Sequence, residues 1–540
     1  MIEADLLIRG GLVYDGSGSA AVEAGIVIKD GKILSISPQY TGKNSDVSPR
    51  EVLDAGGLTV TPGFIDVHSH SDFTLLADPQ AAEGKLFQGV TTEVNGNCGM
   101  SGGPLYGPAL ERRESEFREL GIKPRWNTLS EFLGLIEATQ PYMNFATLAG
   151  HGNIRGSVIG YADIPTPDEA AMARMLSLMR DAVTEGAIGL SSGLIYPPGV
   201  YSATEELCRL AEAGSQAARQ GGKNFLYNTH MRSEGDRLIE ALEEAVSIGR
   251  AAGALNVSHF KTSGPDNWPK LGKAIETLDN ARASGLKTTA DRYPYTAAST
   301  DLDIMLPNWA YEGGAAAELA RLKDPSTAKR ITEEVLAKKP RWHTAYVSST
   351  PYEADRWMEG RNLEEIAART GEAPVKTLFG IIIRSEARAG GIFHGMSEEN
   401  LERIYGLPWV MVGSDSSARA FAGTTAVGKP HPRAFGTFPR FIKRYTIEKR
   451  IITLAEAVRR TTSLAANVFG LEGRGLLKPG HSADIAVFAS NGRFFDNATF
   501  EDPYRKADGL VHLVINGKTV IRDGALTRQR CGKVLRNGRG

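Results

Sequence analysis

The stretch Thr61-Pro62-Gly63-Phe64-Ile65-Asp66-Val67-His68-Ser69-His70 is an apolar run that ends in two histidines one residue apart. In a β-strand, residues i and i+2 point to the same side. His68 and His70 therefore present two imidazoles to one point at the end of a strand, and imidazole is the commonest protein ligand for zinc. Taken alone, a His-x-His reads equally well as one packed and one solvated histidine. The rest of the chain decides between the two.

Downstream, short β-rich runs recur at Gly63–His68, Val90–Val94, Asn144–Ala149, Ile188–Leu190, Asn224–Thr229, Leu255–Phe260, Lys287–Arg292 and Trp409–Ser414. Helical patterns lie between several of them, at Asp168–Glu185, Thr204–Gln220 and Arg237–Ala252. Strands alternating with helices predict an α/β protein, and eight such strands predict a (β/α)₈ TIM barrel. Residues 301–400 are too many for one connection and are expected to hold an inserted subdomain, with helices in Ala315–Lys338. Residues 1–60 read as short strands and turns, with Asp30-Gly31 as a hairpin signal. The C-terminal part repeats this style, with Asn516-Gly517 as its turn. The two ends are expected to pair into one small discontinuous β-sandwich domain. The expected division is 1–61 and 476–530 for that domain, 62–300 and 401–475 for the barrel, 301–400 for the insert and 531–540 for a tail.

Potential metal ligands fall at the C-terminal ends of these strands, the face on which barrels place their active sites. The first strand ends at His68 and His70. The second is followed by Asn95-Gly96-Asn97-Cys98-Gly99. The fifth ends in Tyr227-Asn228-Thr229-His230, the sixth contains Ser258-His259-Phe260-Lys261, and the eighth ends in Gly413-Ser414-Asp415. A lone strand-end histidine is more often structural, a lone cysteine more often a small buried hydrophobe, and a lone Asp before Ser more often a cap. Five strand ends carrying such groups in one barrel pattern point to a metal.

These motifs resemble those of the amidohydrolase superfamily: the Gly-Phe-Ile-Asp-x-His-x-His start, two later strand-end histidines and a last-strand Asp. More closely, the chain is similar to the N-acyl-D-amino-acid deacylases (D-aminoacylases). Gly96-Asn97-Cys98-Gly99, Thr229-His230-Met231-Arg232, Tyr293-Pro294-Tyr295-Thr296 and His431-Pro432-Arg433-Ala434-Phe435-Gly436-Thr437-Phe438-Pro439-Arg440 carry that resemblance. It implies a hydrolase of linear amides that takes N-acyl-D-amino acids, and nothing in residue spacing shows the D configuration. It also implies that Cys98, His230 and His259 hold a tight Zn²⁺. His68, His70 and Asp415, with Cys98 shared, frame a second, weaker site.

Many two-metal amidohydrolases bridge their metals with a carboxylated lysine on the fourth strand. Between Pro124 and Gly222 this chain has no lysine, so the third and fourth strands supply none, and the Cys98 thiolate is the expected replacement. Zinc at an open site brings the pKa of bound water to about 7. Asp415 is then expected to take the proton from the attacking water and deliver it to the leaving nitrogen. This chemistry requires no serine nucleophile. A substrate with a free carboxylate needs a cation. Arg433, matched to the family's carboxylate-binding arginine by its place in His-Pro-Arg, is the first choice, and Lys261, two residues after His259, the second. Tyr293 and Ser299 either complete the clamp by hydroxyl hydrogen bonds or serve only packing and a turn. His151, at the end of the third strand, lines the site or supports it.

Two segments depart from the family pattern, Gly102–Gly107 and Ala418–Lys429, and both are placed to reshape the substrate pocket. Two rival readings are a cyclic-amide hydrolase of the dihydroorotase or hydantoinase kind and a non-catalytic scaffold. The missing lysine and Arg433 argue against the first, and the complete ligand set argues against the second. The bulk composition is ordinary for a soluble globular protein. Of 540 residues, 41% are hydrophobic and 23% charged, and the formal net charge is -1, which offers no electrostatic case for nucleic acid or an anionic membrane. No basic-then-apolar leader and no run of ~18 apolar residues is present, so neither a signal peptide nor a membrane span is expected. Three cysteines, Cys98, Cys208 and Cys531, form no disulfide framework and fit a cytoplasmic protein. An oligomer is left open.

Overall fold

The computed structural model describes residues 2–42 and 46–540. Each of the eight β-rich runs overlaps a strand: β1 (Phe64–Asp66), β2 (Val90–Asn95), β3 (Asn144–Thr147), β4 (Leu190–Gly193), β5 (Tyr227–His230), β6 (Ala254–Val257), β7 (Lys287–Arg292) and β8 (Val410–Val412). They form two parallel sheets. One runs β3-β2-β1. The other begins at the short continuation Ala149–Gly150 of β3 and runs on through β4, β5, β6, β7 and β8. The exits of β1 and β8 meet through the parallel bridge Ser69↔Ser416, and the Asp415 amide donates to the His68 carbonyl at 2.7 Å. All six residues of β2 are buried, as parallel strands covered on both faces must be.

Helices cover this core because their apolar residues recur on one face. Glu169–Glu185 buries Met172, Met175, Met179, Ala182 and Val183, and each large side chain so buried contributes about 1.5–3 kcal/mol. Asp168 caps this helix by accepting from the Ala171 amide at 2.7 Å. Thr204–Gln220 and Leu238–Ala252 follow in the same style.

Between β7 and β8 the chain leaves the parallel sheet and builds a three-stranded antiparallel sheet. Its strands are Ala297–Asp301, Gly390–His394 and Ala345–Ser349, with Gly390–His394 in the middle. Helices Ala315–Lys323, Pro325–Ala337, Leu363–Thr370 and Pro374–Arg384 pack with it around a separate core that includes Leu302, Ile331, Val347, Ile366 and Ile381.

Strands from the two ends of the chain share a seven-stranded sheet, in which Leu58–Pro62 pairs antiparallel with Ile485–Ala489. A four-stranded sheet from the N-terminal part packs over it. Leu6, Ile8, Ile26 and Ile28 from one sheet and Val60, Ile485, Val487 and Val514 from the other form one core. Both hairpin signals are turns with positive φ: Asp30 and Gly31 at 51° and 75°, Asn516 and Gly517 at 48° and 76°. The last ten residues, expected as a tail, are held along the core. The Phe145 amide donates to Lys533 at 2.8 Å, the Leu535 amide to Phe145 at 2.7 Å and the Asn537 amide to Gly186 at 2.8 Å. This segment fills the seam beside β3, where the two parallel sheets part.

Candidate active site

The exits of β1, β2, β5, β6 and β8 bring His68, His70, Cys98, His230, His259 and Asp415 to one place. Donor atoms of His68, His70, Cys98 and Asp415 lie within 4.8 Å of one another, as do those of Cys98, His230 and His259. Cys98 Sγ belongs to both groups, 3.4 Å from His68 Nε2 and 3.7 Å from both His230 Nδ1 and His259 Nε2. Asp415 Oδ1 lies 3.3 Å from His68 Nε2 and 3.1 Å from His70 Nε2.

The backbone bends sharply to achieve this. Cys98, His259 and Asp415 have φ of 53°, 37° and 52°. Non-glycine residues adopt this region at a cost of order 1–3 kcal/mol each, and such residues cluster at functional sites. Two glycines make room. At Gly96, φ is 72° and a Cβ would lie 2.3 Å from the Leu148 carbonyl; at Gly413 it would lie 2.4 Å from the His68 Cβ.

Sequence reasoning missed a layer of polar groups beneath the six. Asp291, at the end of β7, lies 3.1 Å from His68 Nδ1 and accepts from the His259 amide at 2.9 Å. Asn97, Asn228 and Asn256 form a buried ladder that ends on Asp291 Oδ2. Glu234 reaches His259 Nδ1 at 2.8 Å and also pairs with Lys261. Carboxylates on the remote ring nitrogens fix the tautomer and orientation of histidine ligands. Behind β1, fully buried Lys85 is held by Asp66, Glu93 and Ser69. Asp291 is visible in the sequence as a strand-end carboxylate, and Glu234 lies four residues past His230. The ladder carries no sequence signal that separates it from ordinary asparagines.

Electrostatics follow from this packing. Burial alone would raise the Cys98 thiol. The His68 charge and hydrogen bonds from His230, His259 and His68 offset that and hold it well below the usual thiol range. Burial would also raise Asp415, but Arg433 and the histidines hold its carboxyl well below the usual range. Burial pushes His230 down.

Of the four residues expected around the substrate, Arg433 Nη1 lies 2.9 Å from Asp415 Oδ2, and its guanidinium sits 4.7 Å from the centre of the Tyr293 ring. The buried Tyr293 hydroxyl has no hydrogen-bond partner among the described residues. The Ser299 hydroxyl donates to Gly391 at 2.9 Å, while its carbonyl accepts from Arg433 at 3.2 Å. The Lys261 ammonium lies between Glu234 and His259 Nδ1. All four line one cavity of about 600 Å³, together with His70, Cys98, His230, His259 and Asp415. Both segments that depart from the family pattern reach this cavity, through Leu105 and through Arg419 and Val427. His151 Nε2 is taken by Glu206 at 2.7 Å, and Arg155 pairs with the same carboxylate.

This geometry accompanies a clear family relationship. A model of the amidohydrolase family matches residues 51–521, and the chain belongs to that family. It is 35% identical over 535 residues to the N-acyl-D-glutamate deacylase of Alcaligenes xylosoxydans xylosoxydans, spanning 98% of this chain and 96% of that one. It is 33% identical over 534 residues to the D-aminoacylase of the same organism, spanning 98% and 97%. Among solved structures it is similar to the N-acyl-D-glutamate deacylase of Bordetella bronchiseptica, complexed with zinc and a phosphonate inhibitor that mimics the tetrahedral intermediate. That match has a TM-score of 0.81 and 32% identity, and covers 99% of this chain and 100% of the other. A D-hydantoinase structure matches at a TM-score of 0.53 and 16% identity, which is a likeness of fold.

The residues present fit a zinc ion. Thiolate and imidazole donors suit it, the neighbouring histidines hold the Cys98 thiol well below the usual thiol range, and three ligands leave a position open.

Proposed function

We propose that this protein hydrolyses the amide bond of N-acyl-D-amino acids, releasing a carboxylate and a free D-amino acid. The observation that carries the proposal is the placement of Arg433 against Asp415, at the edge of the Cys98–His230–His259 group. A cation for the substrate's carboxylate stands next to the acid–base group and the ligand set. Cys98, His230 and His259 would hold a tight zinc, and His68, His70 and Asp415, sharing Cys98, a weaker second ion. Bound there, zinc supplies Lewis-acid polarisation of the scissile carbonyl and acidifies water.

The protein's own groups do the rest. Arg433 grips the α-carboxylate bidentately, and the partnerless Tyr293 hydroxyl donates a further hydrogen bond. Ser299 and Lys261 border the same space. Asp415 accepts the proton of the attacking water at a carboxylate oxygen and returns it to the leaving nitrogen. When the substrate carboxylate takes up Arg433, the ion pair that stabilises the Asp415 anion weakens, and Asp415 becomes a stronger base as the substrate binds. The carboxylates Glu234 and Asp291 orient His259 and His68.

The same reading makes β1–β8 a closed TIM barrel. The terminal strands (1–61 and 476–530) form a β-sandwich beside it, and residues 301–400 form an inserted subdomain over the strand exits. Cys98 must remain a free thiol to serve as a ligand, which fits the cytoplasm. Among the described residues no helix is long and apolar enough to cross a membrane.

A screen of N-acetyl and N-formyl D- and L-amino acids with zinc present tests the activity, with dihydroorotate and a hydantoin as cyclic controls. Hydrolysis of D substrates alone is expected. Turnover confined to the cyclic amides would overturn the proposal.

A further inference from the structure

At the end of the cavity away from the ligand cluster, the lining changes character. The strand Ala297–Asp301 runs along the wall. Ser299 and Asp301 stand on the same face of it, about 7 Å apart, and both line the cavity. Asp303, in the turn Leu302–Met305, and Glu318, in the helix Ala315–Lys323, line the same region. Glu318 is 3% exposed, and its Oε1 has no hydrogen-bond partner among the described residues. A buried carboxylate oxygen in that state costs more than a paired one by the full desolvation of the group.

The cations at this end do not match the acids. Arg113 is paired with Glu116 at 2.9 Å. Arg112 faces the three carboxyls while stacking on the Tyr161 ring at 4.9 Å, and Arg321 faces Glu318 while donating to the Ala310 carbonyl at 3.0 Å. Burial, with the neighbouring carboxyls, pushes Glu318 up to about 8 and Asp303 up to about 7. Three acids gathered on one wall, one of them with an unpartnered oxygen, can give up those protons to pair with a bound cation, whereas a further acid would find no partner there.

We propose that Asp301, Asp303 and Glu318 form a subsite for a positively charged substrate side chain, so that the preferred substrates are N-acyl-D-amino acids of the lysine, ornithine or arginine class. The inference rests on the proposed deacylase activity. Ser299, whose carbonyl holds Arg433, marks where the substrate's α-carboxylate lies. A four-carbon ammonium side chain is about 6 Å long, which spans the distance from there to Asp301. The amino-acid part of the substrate, rather than its acyl group, borders Ser299, so the side chain is the part that reaches the acids. A D-glutamate side chain would place a fourth acidic group among three.

The test compares kcat/KM for N-acetyl-D-lysine, N-acetyl-D-norleucine and N-acetyl-D-glutamate. Norleucine keeps the four-carbon chain and removes the ammonium. The expected order is lysine over norleucine by about tenfold or more, with glutamate last. Asp301→Asn and Glu318→Gln should each pull the lysine-to-norleucine ratio towards one. Asp301 has surface open to the cavity, so its variant keeps the test available if the buried Glu318 change impairs folding. A wild-type ratio near one, with norleucine or glutamate turned over, would overturn the subsite and leave the deacylase reading intact. Turnover of none of the three, or of any other N-acyl-D-amino acid, would overturn both. A tenfold preference for 6-aminohexanoyl-D-leucine over hexanoyl-D-leucine, without one for lysine, would move the cation to the acyl group and overturn the assignment to the side chain.

Discussion

The two ends of the cavity hold charge in opposite ways. At the strand exits, ionisable groups are matched: Cys98 by three histidines, Asp415 by Arg433, His68 by Asp291 and His259 by Glu234. Cys98, Asp415, His68 and His259 sit on or just beyond parallel strands, and three of them are held at positive φ. At the far end, Asp301, Asp303 and Glu318 come from the inserted strand, turn and helix, and Glu318 has an oxygen with no partner among the described residues. A matched, over-determined set keeps its geometry whatever the substrate. An unmatched set on inserted segments lets the ligand complete it, and loops and insertions are where specificity diverges on a common scaffold.

The most severe way to break the matched end is Cys98→Ala. Cys98 is the one donor shared by both ligand groups, so activity should fall below detection and bound zinc should be lost. Circular dichroism should stay native. Cys208→Ala and Cys531→Ala, at half-buried sites away from the cluster, should be nearly silent. Metal analysis on the three variants checks this, and wild-type zinc and turnover in Cys98→Ala would remove the shared-ligand role.

Asp415→Asn comes next. It keeps the shape and deletes the base, so turnover should drop by ~10²–10⁴-fold with substrate affinity less affected. Steady-state kinetics with near-normal kcat would assign the proton transfer to another group.

Arg433→Ala should raise KM about 10- to 100-fold, the value of a lost charge-assisted hydrogen bond, and lower kcat as well because the scissile amide is less well positioned. The sharper readout is the ratio of kcat/KM for an N-acyl-D-amino acid and its amide. The wild type should favour the acid strongly and the Ala variant only weakly. An unchanged ratio would hand the carboxylate to Lys261.

The mildest test is at the unmatched end. Burial raises Glu318 to about 8, above the ~4.3 of an unfolded glutamate. Between those values the folded state keeps a proton that the unfolded state releases, so this group's contribution to stability is present at low pH and is lost as pH rises through about 8. Glu318→Gln removes that dependence. Its melting temperature relative to wild type should therefore rise by about 1–3 °C between pH 5 and pH 8.5. A pH-independent difference would mean that Glu318 is already compensated.

Much of the ligand cluster is legible in the sequence. His68 and His70 announce themselves by period-two spacing, and Cys98, His230, His259 and Asp415 each follow a β-rich run, so a barrel hypothesis is enough to draw them together. The missing lysine between Pro124 and Gly222, set beside the family resemblance, turns attention to Cys98. Local rules also suffice for the turns at Asp30-Gly31 and Asn516-Gly517, because positive φ is a property of the residues there.

What the sequence by itself determined is what depends on neighbours in the chain: the alternation of strands and helices, the strand-end donors, the hairpins and the absence of a lysine from the third and fourth strands. Only the tertiary structure decided which remote groups meet. Asp291 under His68, Glu234 on His259, Arg433 against Asp415 and the gathering of Asp301, Asp303 and Glu318 on one wall join residues as far as 223 positions apart. The last residues held beside β3 are a longer-range case still. Such contacts have no periodic trace. They arise when separate strands and an inserted subdomain are packed together, and burial then forces each charge to find a partner or to wait for one from the substrate.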